Sequence, residues 1–356
     1  STDSQVQGKT LIADAQTLAN TVTNIASQIG TLRANVETDM STTVSTLNTD
    51  LAQVQTLNNQ IADALAHNQS TGDLQDQRDQ LVNSIAAITN VTVMQRANGG
   101  IALYTSTGGP LLDGQAQTFS VSGDTVVNAA GADISSTLVG GSLQAQINFL
   151  SSNTSSTDNG TGVIAKLTSQ LQGFVSLFTN TASGGFADTY NSATTASGEL
   201  ASKFFTVSLD GSGNPDLSTF AVNSALVNGT SSIKSAAASA IANTFTATNL
   251  AIDTTASPNV TSSTFSAGGL TAVNQTYSGI ASSILSYFQQ AANAVKTSAS
   301  TAATQQSYYQ STLSSETGVN TDTELVNLTT WQNSYAASAH VISTIKAMFQ
   351  TLENMV

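Results

Sequence analysis

Between Leu11 and Leu65 an apolar or small residue recurs every three or four positions, through Ala15, Leu18, Val22, Ile25, Ile29, Leu32, Val36, Met40, Val44, Leu47, Leu51, Val54, Leu57 and Ile61. The mean step is about 3.6, the period of an α-helix with one apolar face. The stretch has no proline and a single glycine, Gly30. It predicts a helix roughly 80 Å long, against ~10–14 residues for an average helix. The opposite face is Asn, Gln, Ser, Thr and Asp with little Glu–Lys lacing, so its stability must come from packing. The consecutive steps of four at Val36, Met40 and Val44 break any heptad phase and predict a nearly straight helix.

A break at Asn68–Gly72 precedes a second helix through Leu74, Leu81, Ile85 and Ile88, with Asp73 as the expected N-cap. This helix doubles back or continues with a kink. From Asn90 the period switches to two. Residues 91–96 and 101–105 read as strands joined at Ala97-Asn98-Gly99-Gly100, a strong hairpin signal. Gly108-Gly109-Pro110 is expected to end the second strand, and 118–121 with 125–127 form another hairpin. Helix spacing returns around Leu143, Ile147 and Leu150. After the low-complexity run 151–162 it resumes from Val163 to Phe178. From 196 to 269 the chain turns polar and β-prone, with a strand at 204–209 and a short helix at 231–242. Helix is expected again from Leu270, thinning to Ala and Thr near 298–306 and broken at Gly318. Thr321-Asp322-Thr323-Glu324 then makes a capping box for a last helix.

The expected fold is therefore α+β, mostly α. It is an elongated bundle of long helices from both chain ends that pair to bury their stripes. Residues 1–195 form the first half of the rod with β-hairpins at 90–127, and 196–269 a small inserted β-rich domain carried outward. Residues 270–317 are a returning core helix and 318–356 a C-terminal helix. That last helix has a heavier apolar load than the rest: Leu325, Leu328, Trp331, Tyr335, Ile342, Ile345, Phe349 and Leu352. Two readings stand for it, intramolecular core and a surface for helix-to-helix assembly between subunits, and both can hold.

Composition narrows the function. The net charge is −13 with only 9% charged residues. So few lysines and arginines supply no basic patch for nucleic acid or an anionic membrane surface. With no cysteine there is no disulfide, thiolate nucleophile or thiolate metal site. No apolar run reaches the ~20 residues of a membrane span, and Ser1-Thr2-Asp3 opens no secretory signal. His67 and His340 read as helix-surface histidines. Asp210-Gly211-Ser212-Gly213-Asn214-Pro215-Asp216 has the alternating oxygens of a calcium loop. Pro215 stands where that loop needs glycine, however, and Ala221 where it needs glutamate, so it reads as a polar turn. Asp73, Asp76 and Asp79 read as dipole-stabilising charge beside Arg78 rather than a metal or acid–base cluster. No nucleophile–base order, P-loop or dinucleotide fingerprint is present. Nothing supports an enzyme, and no cofactor or metal is expected.

The run Asp73-Leu74-Gln75-Asp76-Gln77-Arg78-Asp79-Gln80-Leu81-Val82, followed by Val91-Thr92-Val93 and the Asn-Gly hairpin, resembles the FlgK family of flagellar hook-associated proteins. The tail, Gly318 to Leu328 and Tyr335 to Ile342, resembles the C-terminal segment shared by flagellar axial proteins, so it also fits rod and hook proteins. Lys203-Phe204-Phe205-Thr206-Val207 resembles the segment that opens the family's inserted domain. The family's N-terminal helical segment is not matched, which leaves the last helix without its expected intramolecular partner. The resemblance implies an exported structural protein of the extracellular flagellum, forming a ring between hook and filament. Its implied partners are its own copies, the hook protein, and the adjacent hook-associated protein or filament. A cytosolic export chaperone would hold the C-terminal helix beforehand. The rival from another class is a surface module whose inserted domain binds a glycan or receptor, which would need a clustered aromatic groove. The insert offers Phe204, Phe205, Phe220, Phe245 and Phe265, without Trp or Tyr.

Overall fold

Helix α1 (Thr2–Ala66) runs 65 residues, about 100 Å at 1.5 Å per residue. The computed structural model describes residues 2–152, 161–179, 185–193, 203–234, 243–246, 264–317, 329–330 and 332. The described residues through Ala291 form one compact unit and those from Ala292 onward a second. The fold is α+β and mostly helical, with small antiparallel sheets.

Two hydrophobic cores share α1. Met40, Leu47, Leu51, Val54 and Ile61 are fully enclosed. All but Ile61 belong to a core made with helices α2 (Gly72–Ile88) and α3 (Gly141–Leu150) and with strands of the hairpin region. Nearer the N-terminus, Ala15, Ala19, Val22 and Ile29 enter a second core. Leu32 lies between the cores and is 43% exposed, although the periodicity places it on the buried face. Its neighbour Arg33, itself half-exposed, bonds instead to Asp124 and, along the helix, to Glu37 at 2.8 Å. The bond to Asp124 holds the Arg33 guanidinium above its ordinary pKa, against the opposing effect of desolvation.

Helix α1 ends because Asn68 adopts φ +56°. Gln69 N–H then donates to Ala64 O (2.8 Å) and Asn68 N–H to Leu65 O (3.1 Å), a Schellman-type closure that turns the chain back. Helix α2 doubles back along α1, and Ser84 Oγ donates to the buried Asp50 carboxylate at 2.6 Å. Asp73 is not the N-cap. Thr71 holds that place without a side-chain bond, and Asp73 lies in the first turn, where its charge faces the positive end of the dipole.

Strands β1 (Val91–Gln95), β2 (Ile101–Thr105), β3 (Pro110–Asp113) and β4 (Gln115–Ala116) form one sheet in sequence order. Pro110 opens β3 instead of merely ending β2. As a strand's first residue it sacrifices no ladder bond. Strands β5 (Phe119–Ser122) and β6 (Thr125–Asn128) make the second hairpin.

The second core is built on helix α4 (Val163–Thr179) with α5 (Phe186–Ser192). Strands β7 (Phe205–Thr206) and β8 (Ala221–Val222) and the short helix α6 (Ser224–Val227) pack into it. So do β9 (Thr264–Ala267), β10 (Leu270–Val273) and the first turns of helix α7 (Tyr277–Thr317). Two expectations change here. The strand expected over 204–209 forms a ladder only at 205–206, with Leu209 bridged separately to Pro215, and Leu270 begins a strand, not a helix. Residues 204–226 and 264–284 share this core with α1 and α4, so the compositional boundary at 196 is not a core boundary. The physical reason is that α4 is apolar around much of its circumference: Ile164, Leu171, Phe174, Val175, Leu177 and Phe178 are all buried. The short helix expected at 231–242 falls mostly outside the described residues.

Tyr277 gives this core a pH dependence. Its hydroxyl donates to Leu177 O at 3.1 Å, and burial pushes its pKa from 10.0 to about 12, over the lowering effect of the Phe186 backbone N–H. The folded value lies above the unfolded one, so the unfolded chain releases its proton first. Stability is whole below pH 10 and falls by about 2–3 kcal/mol as pH rises from 10 to 12. Urea midpoints measured across pH 9–12 should fall in the parent and fall less in Tyr277→Phe.

Candidate assembly surface

The eight apolar positions expected to mediate assembly, Leu325, Leu328, Trp331, Tyr335, Ile342, Ile345, Phe349 and Leu352, lie outside the described residues, as does His340. The helix before them is described. Tyr277, Ile280 and Ile284 of α7 are buried. From 293 to 311, by contrast, every position whose burial is described is exposed. Lys296 is the one charged residue of that stretch. Tyr308 and Tyr309 are 67% and 68% exposed and meet edge to face at 5.6 Å. The hydroxyls here are spent locally: Thr301, Thr304, Ser307 and Thr312 each donate to the carbonyl four residues back, at 3.0 Å. The surface is left with small side chains and methyl groups, two tyrosine rings, and the uncharged amides of Asn293, Gln305, Gln306 and Gln310 beside Lys296. Serine and threonine are only moderate helix formers, and no ion-pair lacing supports the stretch.

The run 73–82 has a structural job. Arg78 is 5% exposed, and its Nη1 donates to Gly99 O in the β1–β2 turn at 3.0 Å. Its Nε and Nη2 reach Asp79 at 3.5 and 3.4 Å. From the other side, α1 grips the same turn through amides. Asn58 accepts from Ile101 N–H (3.0 Å) and donates to Ile101 O (2.8 Å). Asn48 does the same to Phe119, at 2.9 and 2.8 Å, and Gln55 accepts from Ala116 N–H at 2.7 Å. These side-chain amides act as the missing neighbouring strand. Sequence reasoning found this face of α1 polar and gave it no partner, because an isolated Asn on a helix carries no signal of what it binds. Arg78→Ala should cost about 2–3 kcal/mol, because it leaves a half-buried carbonyl unpaired and removes a charged donor together with the packing of a buried side chain. Hydrogen exchange should show the added loss of protection in β1 and β2 first.

The other candidate groups are engaged structurally. Asp210 Oδ1 accepts from the N–H of Ser212 and of Asn214, each at 2.9 Å, and the Asn214 bond holds its carboxyl below the usual range. Among the described residues no three His, Asp or Glu gather as a metal site. His67 Nδ1 sits 2.8 Å from Asp63 O on the exposed end of α1. Tyr104 donates to Asp113 at 2.6 Å, which raises the phenol's pKa, and Arg96 pairs with the same carboxylate. Phe204, Phe205, Phe220 and Phe265 are at most 4% exposed, and Phe245 packs on the same core. The rings that a sugar-stacking groove would need are consumed by packing.

Comparison with known proteins gives consistent results. Residues 1–205 match the model of the flagellar hook-associated protein FlgK helical domain. Residues 310–355 match the flagellar basal body rod FlgEFG protein C-terminal model. The chain is 30% identical over 93 residues to flagellar hook-associated protein 1 of Bacillus subtilis, covering 26% of this chain and 18% of that protein. It therefore spans under a fifth of that relative's length. The flagellar hook junction protein FlgK from Burkholderia pseudomallei matches with 26% identity and a TM-score of 0.46, over 56% of this chain and 36% of that one. No helix among the described residues is long and apolar enough to cross a membrane.

Proposed function

Because the chain belongs to the FlgK family of flagellar hook-associated proteins, we propose that it is a structural subunit joining hook to filament in the extracellular bacterial flagellum. The subunits associate through helices and do no chemistry. The observation that carries this reading is the stretch 293–311 of α7, exposed, nearly uncharged, and ending on Tyr308 and Tyr309. Leu325, Leu328, Trp331, Tyr335, Ile342, Ile345, Phe349 and Leu352, which follow it in sequence, are the further positions to which we assign assembly. The partners are further copies of the chain, the hook protein, and the next hook-associated protein or filament. Before export, a cytosolic chaperone covers the C-terminal helix, which would otherwise present its apolar face to water.

The test adds full-length protein to isolated hooks and views them by electron microscopy. Density confined to the distal end of the hook is expected. Tyr308→Ala/Tyr309→Ala should abolish it without changing the melting curve, since both rings are exposed. Trp331→Ala/Phe349→Ala should abolish it too. Binding along the hook sides, or no binding, would overturn the junction reading.

A further inference from the structure

Strand β1 is the open edge of the four-stranded sheet. The ladder fixes which of its groups are unpaired. Arg96 N–H donates to Gly100 O at 2.8 Å, so 96 and 100 are a hydrogen-bonded pair. With Met94 opposite Ala102 and Thr92 opposite Tyr104, the even-numbered residues bond to β2. The N–H and C=O groups of Val91, Val93 and Gln95 therefore point away from the sheet. The opposite parity on β2 agrees, since Ile101 directs both of its groups to Asn58. Residues 92–95 are all exposed. Val93 is 43% exposed and Met94 51%, one on each face of the strand.

This edge has few of the usual devices against pairing: Val91 to Gln95 contains no charge and no proline. It is also complementary to itself. Two copies of β1 laid antiparallel about Val93 would set Val93 against Val93 of the second copy and Val91 against Gln95. Every outward group of the three residues then finds its partner, with none left over. The same register places Met94 beside Thr92 of the second copy, so both exposed apolar side chains are covered. On a chain of net charge −13 the strand is a neutral strip where a like-charged copy can approach.

We propose that the β1 edge is a two-fold contact between two copies of this chain, continuing the sheet from one into the other. A two-fold contact closes on itself and builds no ring, so it belongs to the unassembled protein. It is independent of the junction reading, because association through α7 does not involve β1.

Val93→Pro is the direct test. Its N–H faces away from β2, so proline breaks no bond inside the sheet but removes one at the centre of the contact in each copy. In sedimentation equilibrium the parent should dimerise, and Val93→Pro should weaken dimerisation about tenfold or more. Should Val93→Pro melt lower than the parent, Val93→Lys serves instead, since it sets two like charges together at the two-fold. The chain has no cysteine, so Val93→Cys reports cleanly. Paired Cα atoms about 5.5 Å apart suit a disulfide. Oxidation should give a covalent dimer faster than in Thr46→Cys on the exposed face of α1. A parent that stays monomeric into the hundreds of micromolar would overturn the proposal. So would dimerisation indifferent to both Val93→Pro and Val93→Lys, or cross-linking no faster than in the control.

Discussion

Phe178→Ala should lower unfolding free energy by about 4 kcal/mol, the loss expected for a buried phenylalanine with aromatic neighbours. Phe178 is 3% exposed and stands at the centre of a ring cluster. Tyr277 lies 5.1 Å from it, Phe174 5.2 Å, Phe205 5.4 Å and Phe186 5.9 Å, each edge to face. These rings come from α4, α5, β7 and the start of α7, so the damage should spread to all of them. In native-state hydrogen exchange, the amides of 205–222 and of 265–272 should lose protection together with α4. Loss confined to α4 would mean that residues 196–269 hold a core of their own. Phe178→Leu should recover more than half of the stability, because it refills most of the volume.

Gly141→Ala should be about as damaging, near 4 kcal/mol, for a different reason. Gly141 opens α3 at φ +70°, where an L residue is strained. An added Cβ would lie 2.3 Å from Ile88 O, 2.4 Å from Ile88 C and 2.7 Å from Thr89 N. All three are backbone atoms at the end of α2, so relief requires moving one helix from the other. Gly140 is the informative control. It has φ +78°, but the three atoms nearest its Cβ would all belong to the amide end of the Asn90 side chain. That amide can rotate away, so Gly140→Ala should cost only the backbone strain of its φ +78°, ψ 173° conformation, about 1–3 kcal/mol. Thermal melts of the two variants decide it. Equal destabilisation would show that strain, not the approach of α3 to α2, sets the cost.

Helix α1 shows how far periodicity reaches. Its length and its apolar positions from Met40 to Ile61 are legible because burial on a helix repeats with the helical turn, whatever covers it. What covers it is not legible. The sequence reading paired the two chain ends. Among the described residues most of the stripe is covered by α2, α3, the hairpin region and the core around α4, which the first turns of α7 join; the last helix lies mostly outside them. An apolar stripe specifies that a partner exists, not which one. The hairpin 91–105 was legible for a local reason, since Asn98-Gly99 sets the turn and alternation sets the strands. The core of residues 204–226 was not. Strands two residues long carry no period, and Phe204 and Phe205 look the same whether they line a groove or fill a core.

The candidate site divides the same way. The run 73–82 identified the family, but its residues gave no sign that Arg78 reaches Gly99, because that contact joins a helix to a turn 21 residues on. The exposed stretch of α7 is visible in sequence only as a thinning of the apolar pattern. By itself the sequence determined the helical rod elements, the hairpin turns, the absence of thiol chemistry and the family. Each of these depends on local spacing or on residue identity. The tertiary structure decided which faces meet, which amides replace a strand, and which aromatic rings are spent on packing. Those outcomes depend on contacts between residues distant in the chain, which no local pattern encodes.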